Sequence, residues 1–390
     1  MRSLELFSGA GGLALGLEAA EFEPVAFIEW DRDACETLRR NRPNWNVIEG
    51  DVSKIDFSQF SEVDLVAGGP PCQPFSVGGK ARGFRDRRDM FPAAVEAVRA
   101  LAPAAFVFEN VRGLLRPAFQ NYVEFIRLQM THPQFPVSRN LSWEQNLARL
   151  ERHHTSRDRT GELTYKVSVH DADAANFGVP QRRHRVFFVG FRSDLNAEWS
   201  FPMESHSRSE LVRAKDVTGE YWSEHGIPKA HRSPRPKASK IFVNEEFAEI
   251  SGRLARWRTV RDAICNLGDP RKESEFSDHV FQNGARSYPG HTGSPLDEPA
   301  KALKAGDHGV PGGENMLRHP NGRVRYFTVR EAARIQTFPD DWKFSGSWTE
   351  VMRQLGNAVP VQLGEAVARS VAKAIKRAKR KIKSEATIDR

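Results

Sequence analysis

The chain has 390 residues, a formal net charge of +8 and three cysteines, Cys35, Cys72 and Cys265. Its length allows one large domain plus a smaller one. The cysteines lie far apart without metal-ligand spacing, which argues against a disulfide framework or a zinc site and for a reducing, cytoplasmic setting. No apolar run approaches the roughly 20 residues of a membrane span, so neither a membrane nor a metal is expected, while the basic balance suits a polyanionic partner.

Leu4 to Phe7 reads as a first strand, followed by the turn Ser8-Gly9-Ala10-Gly11-Gly12 and a helix with Leu13 and Leu17 at helical spacing. Strand, glycine turn and helix place backbone N–H groups against a nucleotide-like ligand. A second strand, Pro24 to Ile28, ends in Glu29-Trp30-Asp31, and an acid at that distance from the glycines commonly holds ribose hydroxyls. A helix over Ala34 to Arg40 and a third strand over Asn46 to Glu49 lead to Gly50-Asp51. The alternation predicts a parallel sheet. On these residues alone two ligands compete. Gly9 to Ala14 fits the dinucleotide pattern of a nicotinamide dehydrogenase, and an adenosyl cofactor without a pyrophosphate fits the same turn.

The apolar run Val63 to Ala67 then meets Gly68-Gly69-Pro70-Pro71-Cys72-Gln73-Pro74-Phe75-Ser76. Three prolines fix φ and withhold donors, so this is a stiff loop at a strand's carboxyl end. A core cysteine needs no such cage, which makes Cys72 a candidate reactive thiol beside the plain alternative of a small buried side chain. Val77 to Asp89 is basic and lacks apolar periodicity. Its Lys80, Arg82, Arg85, Arg87 and Arg88 are candidates for closing over a phosphate backbone. After a helix over Pro92 to Leu101, the strand Ala104 to Phe108 ends in Glu109-Asn110-Val111, on the edge expected for Cys72. Partial desolvation there would raise the Glu109 pKa toward a proton-donating role. A helix is predicted from Trp143 to Leu150 and a strand from Lys166 to Ala174. Gln181-Arg182-Arg183-His184-Arg185 leads into the strand Val186 to Val189, with Arg183 and Arg185 expected on one face. Two guanidinium groups there suit phosphate and base acceptors.

From residue 193 to residue 324 the alternation weakens and Pro, Gly, Ser and His recur, which reads as a second, loop-rich domain in which Cys265 is structural. Thr328 and Glu331 form a capping-box pattern. Gln354 to Pro360 reads as a turn, Val361 to Ile375 as an amphipathic helix, and Lys373 to Lys383 as its solvated basic end.

Taken in this order, five segments resemble the C5-cytosine DNA methyltransferases of bacterial restriction-modification systems. Phe7 to Gly12 resembles the family's cofactor loop, and Pro70-Pro71-Cys72-Gln73 its nucleophile loop. Glu109-Asn110-Val111 resembles its acid motif, Gln181 to Arg185 its Q-x-R-x-R segment, and Gly356 to Pro360 its C-terminal motif. Glu5 and Val361 stand where an aspartate and a proline are common. The resemblance implies an α/β fold: a Rossmann-like mixed, mostly parallel sheet with helices on both faces, plus a smaller target-recognition domain. The catalytic domain would be discontinuous, residues 1–192 and 325–390, with the C-terminal helix folded back on the N-terminal sheet, and residues 193–324 would recognise the target.

The implied function is methylation of cytosine at C5 in a specific site of double-stranded DNA, by a monomer using S-adenosyl-L-methionine. Cys72 would attack C6 of a cytosine flipped from the duplex. Glu109 would bond the N3/N4 edge and supply a proton, and Arg185 would approach O2 with Arg183 supporting it. The resemblance places Phe7, Gly9, Gly11, Gly12, Glu29, Trp30, Asp51, Pro70, Asn357 and Val359 around the cofactor. An RNA cytosine-5 methyltransferase and a non-catalytic DNA-binding regulator remain the alternatives.

Overall fold

Short apolar runs alternating with amphipathic helices between residues 2 and 192 fold as a seven-stranded sheet in a computed structural model that describes residues 1–71, 90–156, 161–232, 254–306 and 315–388. Cys72, Gln73, Ser76 and the basic residues from Lys80 to Arg88 lie outside the described residues. The elements are β1 (Arg2–Leu6), α1 (Gly12–Ala19), β2 (Glu23–Glu29), α2 (Arg32–Asn41), β3 (Val47–Glu49), β4 (Leu65–Gly68), α3 (Phe91–Leu101), β5 (Ala105–Val111), α4 (Gln120–Thr131), α5 (Trp143–Thr155), β6 (Tyr165–Asp173), β7 (Gln181–Arg182) and β8 (His184–Arg192). Sheet order is β3-β2-β1-β4-β5-β8-β6. The first five strands run parallel, and β8 runs antiparallel to β5. Leu4, Leu6, Ile28, Val66, Phe106 and Phe108 are wholly buried, as strands covered on both faces require.

This order puts a topological switch between β1 and β4, because the chain steps outward from β1 to β3 and then returns to the other side. Ligands of open α/β sheets bind outside the carboxyl ends of the strands at such a point. Both loops singled out in the sequence, the glycine turn after β1 and the proline-flanked segment after β4, start there.

The chain divides into two compact units. The first comprises Met1–Ala172, His184–Phe201 and Gly364–Arg390, and the second Asp173–Arg183 and Pro202–Leu363. These bounds differ from the expected domains, since residues 325–363 lie in the second unit. The C-terminal helix, Val361–Ile388, is longer than predicted. Its Val367, Val371 and Ile375 are fully buried, Lys376 pairs with Glu21 at 2.9 Å and Lys379 pairs with Asp64. Part of the basic end is therefore engaged in ion pairs. The helix crosses α1 so closely that a Cβ on Gly16 would stand 2.6 Å from both Glu365 N and Gly364 C. Neither backbone can yield easily, so Gly16→Ala is expected to cost about 1–3 kcal/mol, read as a lower denaturation midpoint.

In the second unit, the predicted capping box at Thr328 and Glu331 is present: Thr328 N donates to Glu331 Oε2 at 3.0 Å and Glu331 N to Thr328 Oγ1 at 3.1 Å. Gln354 to Asn357 are the last turn of a helix, Trp348–Asn357, and not part of a loop as expected. The amphipathic pattern of that helix continues through Gln354 and Leu355, both buried, and only Ala358 to Pro360 form the connection. Cys265 is exposed, so it packs no core. No helix among the described residues is long and apolar enough to cross a membrane.

Candidate active site

The turn after β1 bends through Phe7, Gly9 and Gly11, at φ of 56°, 52° and 89°, a region glycine enters without steric cost. Gly11 N donates to Ser8 O at 3.1 Å, and Gly12 opens α1, whose first N–H groups have no partner within the helix. Glu29 at the end of β2 ties the turn down. Its Oε2 accepts from Gly9 N at 2.8 Å, and its Oε1 accepts from Trp30 N and Asp31 N at 2.9 Å each. A carboxylate has about four acceptor sites, so it keeps room for one further donor. Burial pushes the Glu29 pKa up, and the three backbone N–H groups oppose that rise.

Trp30, the next residue, holds an indole 80% exposed, an unusual place for so large an apolar surface and one that a flat ligand would cover. Asp51, after β3, receives Ser53 N at 3.0 Å and Ser53 Oγ at 2.7 Å on Oδ1. These two bonds hold its pKa below the usual carboxylate range and leave Oδ2 as an acceptor. Glycine backbone, ribose-type acid, exposed ring and free acceptor at three successive strand ends fit an adenosyl group. Cys35 behind them is inert, because burial and then Glu29 raise its thiol to about 12.

Glu5 lies beneath the turn, 2% exposed, and its Oε2 is buried without a hydrogen bond among the described residues. Burial, and secondarily Glu29, raises its pKa well above 4.5. A raised folded-state pKa means that stability falls as pH rises from about 4.5 through the folded value. Glu5→Gln is therefore expected to flatten this decline. Its stability relative to wild type should improve between pH 5 and pH 8 in thermal melts, and a pH-independent difference would contradict the assignment.

At the next strand ends the backbone is packed tightly. A Cβ on Gly68 would stand 2.2 Å from Leu6 O, and one on Gly69 would stand 3.2 Å from Glu109 Oε2. Asn110 Nδ2 donates to Pro70 O at 2.9 Å, and Met90 N donates to Pro71 O at 3.1 Å. The chain thus leaves the sheet edge at Pro71 and returns to it at Met90. Glu109 and Arg185, both buried, form an ion pair. The register explains it: Glu109 lies opposite Phe187 and Val111 opposite Arg185, so Glu109 and Arg185 are diagonal neighbours on one face. Burial lowers the Arg185 pKa from its usual value, and Glu109 opposes that shift.

A polar rim adjoins the pair. Arg112 Nε meets Asp171 Oδ2 at 3.0 Å, and His184 Nδ1 lies 3.4 Å from Asp171 Oδ1. The roles of Asn110, Arg112 and Asp171 escape sequence reasoning, because each depends on a partner distant in the chain.

Sequence comparison decides the family. The chain matches the profile described as C-5 cytosine-specific DNA methylase over residues 1–142 and 146–373. The chain belongs to this family. It is 34% identical over 375 residues to the type II methyltransferase M.NgoMIV of Neisseria gonorrhoeae, covering 96% of this chain and 98% of that protein. It is 35% identical to the type II methyltransferase M.Eco47II of Escherichia coli, over 94% of this chain and 78% of that protein. Its fold resembles the crystal structure of the S. pombe Dnmt2 methyltransferase, with a TM-score of 0.53, 18% identity and coverage of 97% and 99% of the two chains. It is accordingly a DNA (cytosine-5-)-methyltransferase.

In the second unit of this methyltransferase, Arg183 has partners that the sequence does not suggest. The ladder is interrupted between β7 and β8, so the two arginines are not a matched pair on one strand. Arg183 is 1% exposed and donates to Leu303 O at 2.8 Å, Gly356 O at 2.6 Å and Ala358 O at 3.1 Å. Gln336 Nε2 also donates to Ala358 O, at 3.1 Å, and Gln181 Nε2 donates to Gln336 Oε1 at 2.8 Å. Gly356 packs so closely that a Cβ would stand 2.3 Å from Ala305 N. Arg183, Gln181 and Gln336 therefore fasten the turn that carries Asn357 and Val359.

Proposed function

We propose that this methyltransferase takes S-adenosyl-L-methionine as methyl donor and modifies a cytosine flipped from a specific short duplex DNA site. The observation that carries this reading is the buried Glu109–Arg185 pair beside the Pro70–Pro71 start of the cysteine loop. The cofactor supplies an electrophilic methyl group. Phe7, Gly9, Gly11 and Gly12 would hold its amino-acid side, Glu29 the ribose, and Trp30 and Asp51 the adenine, with Pro70, Asn357 and Val359 also near it.

C5 of cytosine is a weak nucleophile. Addition of the Cys72 thiolate to C6 sends the C5–C6 electron pair to C5, and Glu109 offsets the developing ring charge with a proton at N3. Arg185 bonds O2 in this scheme, and Arg183 acts by positioning the turn of Asn357 and Val359. Once C5 has taken the methyl group, loss of its proton and departure of the Cys72 sulfur restore the aromatic ring. Flipping costs a few kcal/mol, which DNA backbone contacts from Lys80, Arg82, Arg85, Arg87 and Arg88 would help offset. Residues 193–324 are proposed to read the site. The enzyme is proposed to act as a cytoplasmic monomer that protects DNA from a cognate restriction enzyme, as the type II names of its relatives suggest.

The test is covalent trapping. DNA with 5-fluorocytosine in place of cytosine should form a stable adduct with the wild-type protein in the presence of the methyl donor. Cys72→Ser should form none while still binding the donor. Methyl transfer to transfer RNA but not to DNA would instead favour the RNA reading.

A further inference from the structure

Away from the sheet edge, three titratable side chains converge on one point. α4 ends at His132, the last turn of α5 carries His153 and His154, and Glu162 precedes β6. His132 Nδ1 lies 3.0 Å from Glu162 Oε1, and His153 Nε2 lies 2.9 Å from the same oxygen. The three ligand atoms all fall within 4.8 Å of one another. We propose that His132, His153 and Glu162 form a binding site for a zinc-class divalent cation, a site separate from the methyl-transfer chemistry.

Tetrahedral zinc with bonds of ~2.0–2.1 Å sets its ligands about 3.3 Å apart, so a cation fits between these atoms with small side-chain shifts. The donor set, two imidazoles and a carboxylate with a fourth position left over, is one that zinc accepts. A second observation points the same way. His132 uses its other ring nitrogen, Nε2, to meet His154 Nδ1 at 2.9 Å. With His132 Nε2–H donating to His154, Nδ1 presents its lone pair to the centre, the arrangement of a ligating histidine and its outer partner.

A hydrogen-bonded network without metal satisfies Glu162 Oε1 but leaves Oε2 buried with no partner among the described residues. An unmet buried carboxylate oxygen is costly, whereas a cation between the carboxylate and the rings compensates its charge. His132 is fully enclosed, and the His153 side chain keeps 26% of its exposure, which gives an ion a way in. Phe135 packs against the His153 ring at 4.8 Å and limits its rotation. A bound ion would clamp the ends of α4 and α5 to the residue that leads into β6, the neighbour of the Arg185 strand. The twenty and eight residues that separate the three ligands match no short metal motif.

The experiment is a cobalt and zinc titration of the untagged full chain after removal of metal with EDTA. One equivalent of Co2+ should bind with the visible absorption of a tetrahedral site and be displaced by Zn2+. Calorimetry should give a single zinc site that weakens at least 10-fold in both His153→Ala and Glu162→Gln, with circular dichroism reporting that each variant is folded. X-ray absorption of the zinc-loaded wild type, which needs no variant, should show two imidazoles. Absence of saturable binding at tens of micromolar protein would overturn the proposal, as would unchanged binding by the folded variants or a zinc shell without the two imidazoles.

Discussion

Glu109→Gln is expected to lower kcat for methyl transfer by about 10²–10⁴-fold, the usual contribution of a positioned acid, with little change in donor affinity. The amide keeps the shape of the carboxyl and an oxygen that can accept from Arg185, so the pocket between β5 and β8 persists. What it cannot do is supply the proton that the proposed mechanism draws from Glu109 as the sulfur adds. The carboxylate lies against the Gly69 backbone and is almost enclosed, so water is poorly placed to substitute for it. Single-turnover transfer of a labelled methyl group separates this step from product release. A rate within about threefold of wild type would remove Glu109 from the chemistry, a far smaller loss than general-acid catalysis implies.

Arg185→Met should affect stability as strongly as activity. It strips a buried carboxylate of its counter-charge, a change that typically costs about 3–5 kcal/mol. Arg185→Met combined with Glu109→Gln should regain much of that loss, because no uncompensated charge remains. The two substitutions must then be non-additive in denaturant titrations while the double variant stays inactive. Additive effects would show that the ion pair does not organise this corner of the sheet.

The sheet edge was legible in the sequence because strands and breakers are local signals. Gly9, Gly11, Glu29, Asp51 and Glu109 each stand where an apolar run stops, and β1, β2, β3 and β5 end at or within a few residues of them. Arg183 was harder to place. Alternation suggested a shared face with Arg185, but a break in the strand and the carbonyls of Leu303, Gly356 and Ala358 gave it another role. No pattern near residue 183 announces partners so far along the chain. The same limit applies to His132, His153 and Glu162, which helix packing brings together. A search for metal ligands confined to cysteine spacing passes over them.

The direction of β8 also bears on how such an enzyme can change over generations. Because β8 runs against β5, Val111 and Arg185 face each other across the ladder, and the chain between them departs from and rejoins one rim. Lengthening that excursion is cheap, since each doubling of a flexible loop costs only about 0.6 kcal/mol in closure entropy. Residues can therefore be added in the connection between α4 and α5, where Arg139 and Asn140 are exposed, without disturbing the acid and arginine between β5 and β8. Selection can then rebuild this connection for new accessory tasks while the buried pair near its two ends is inherited unchanged.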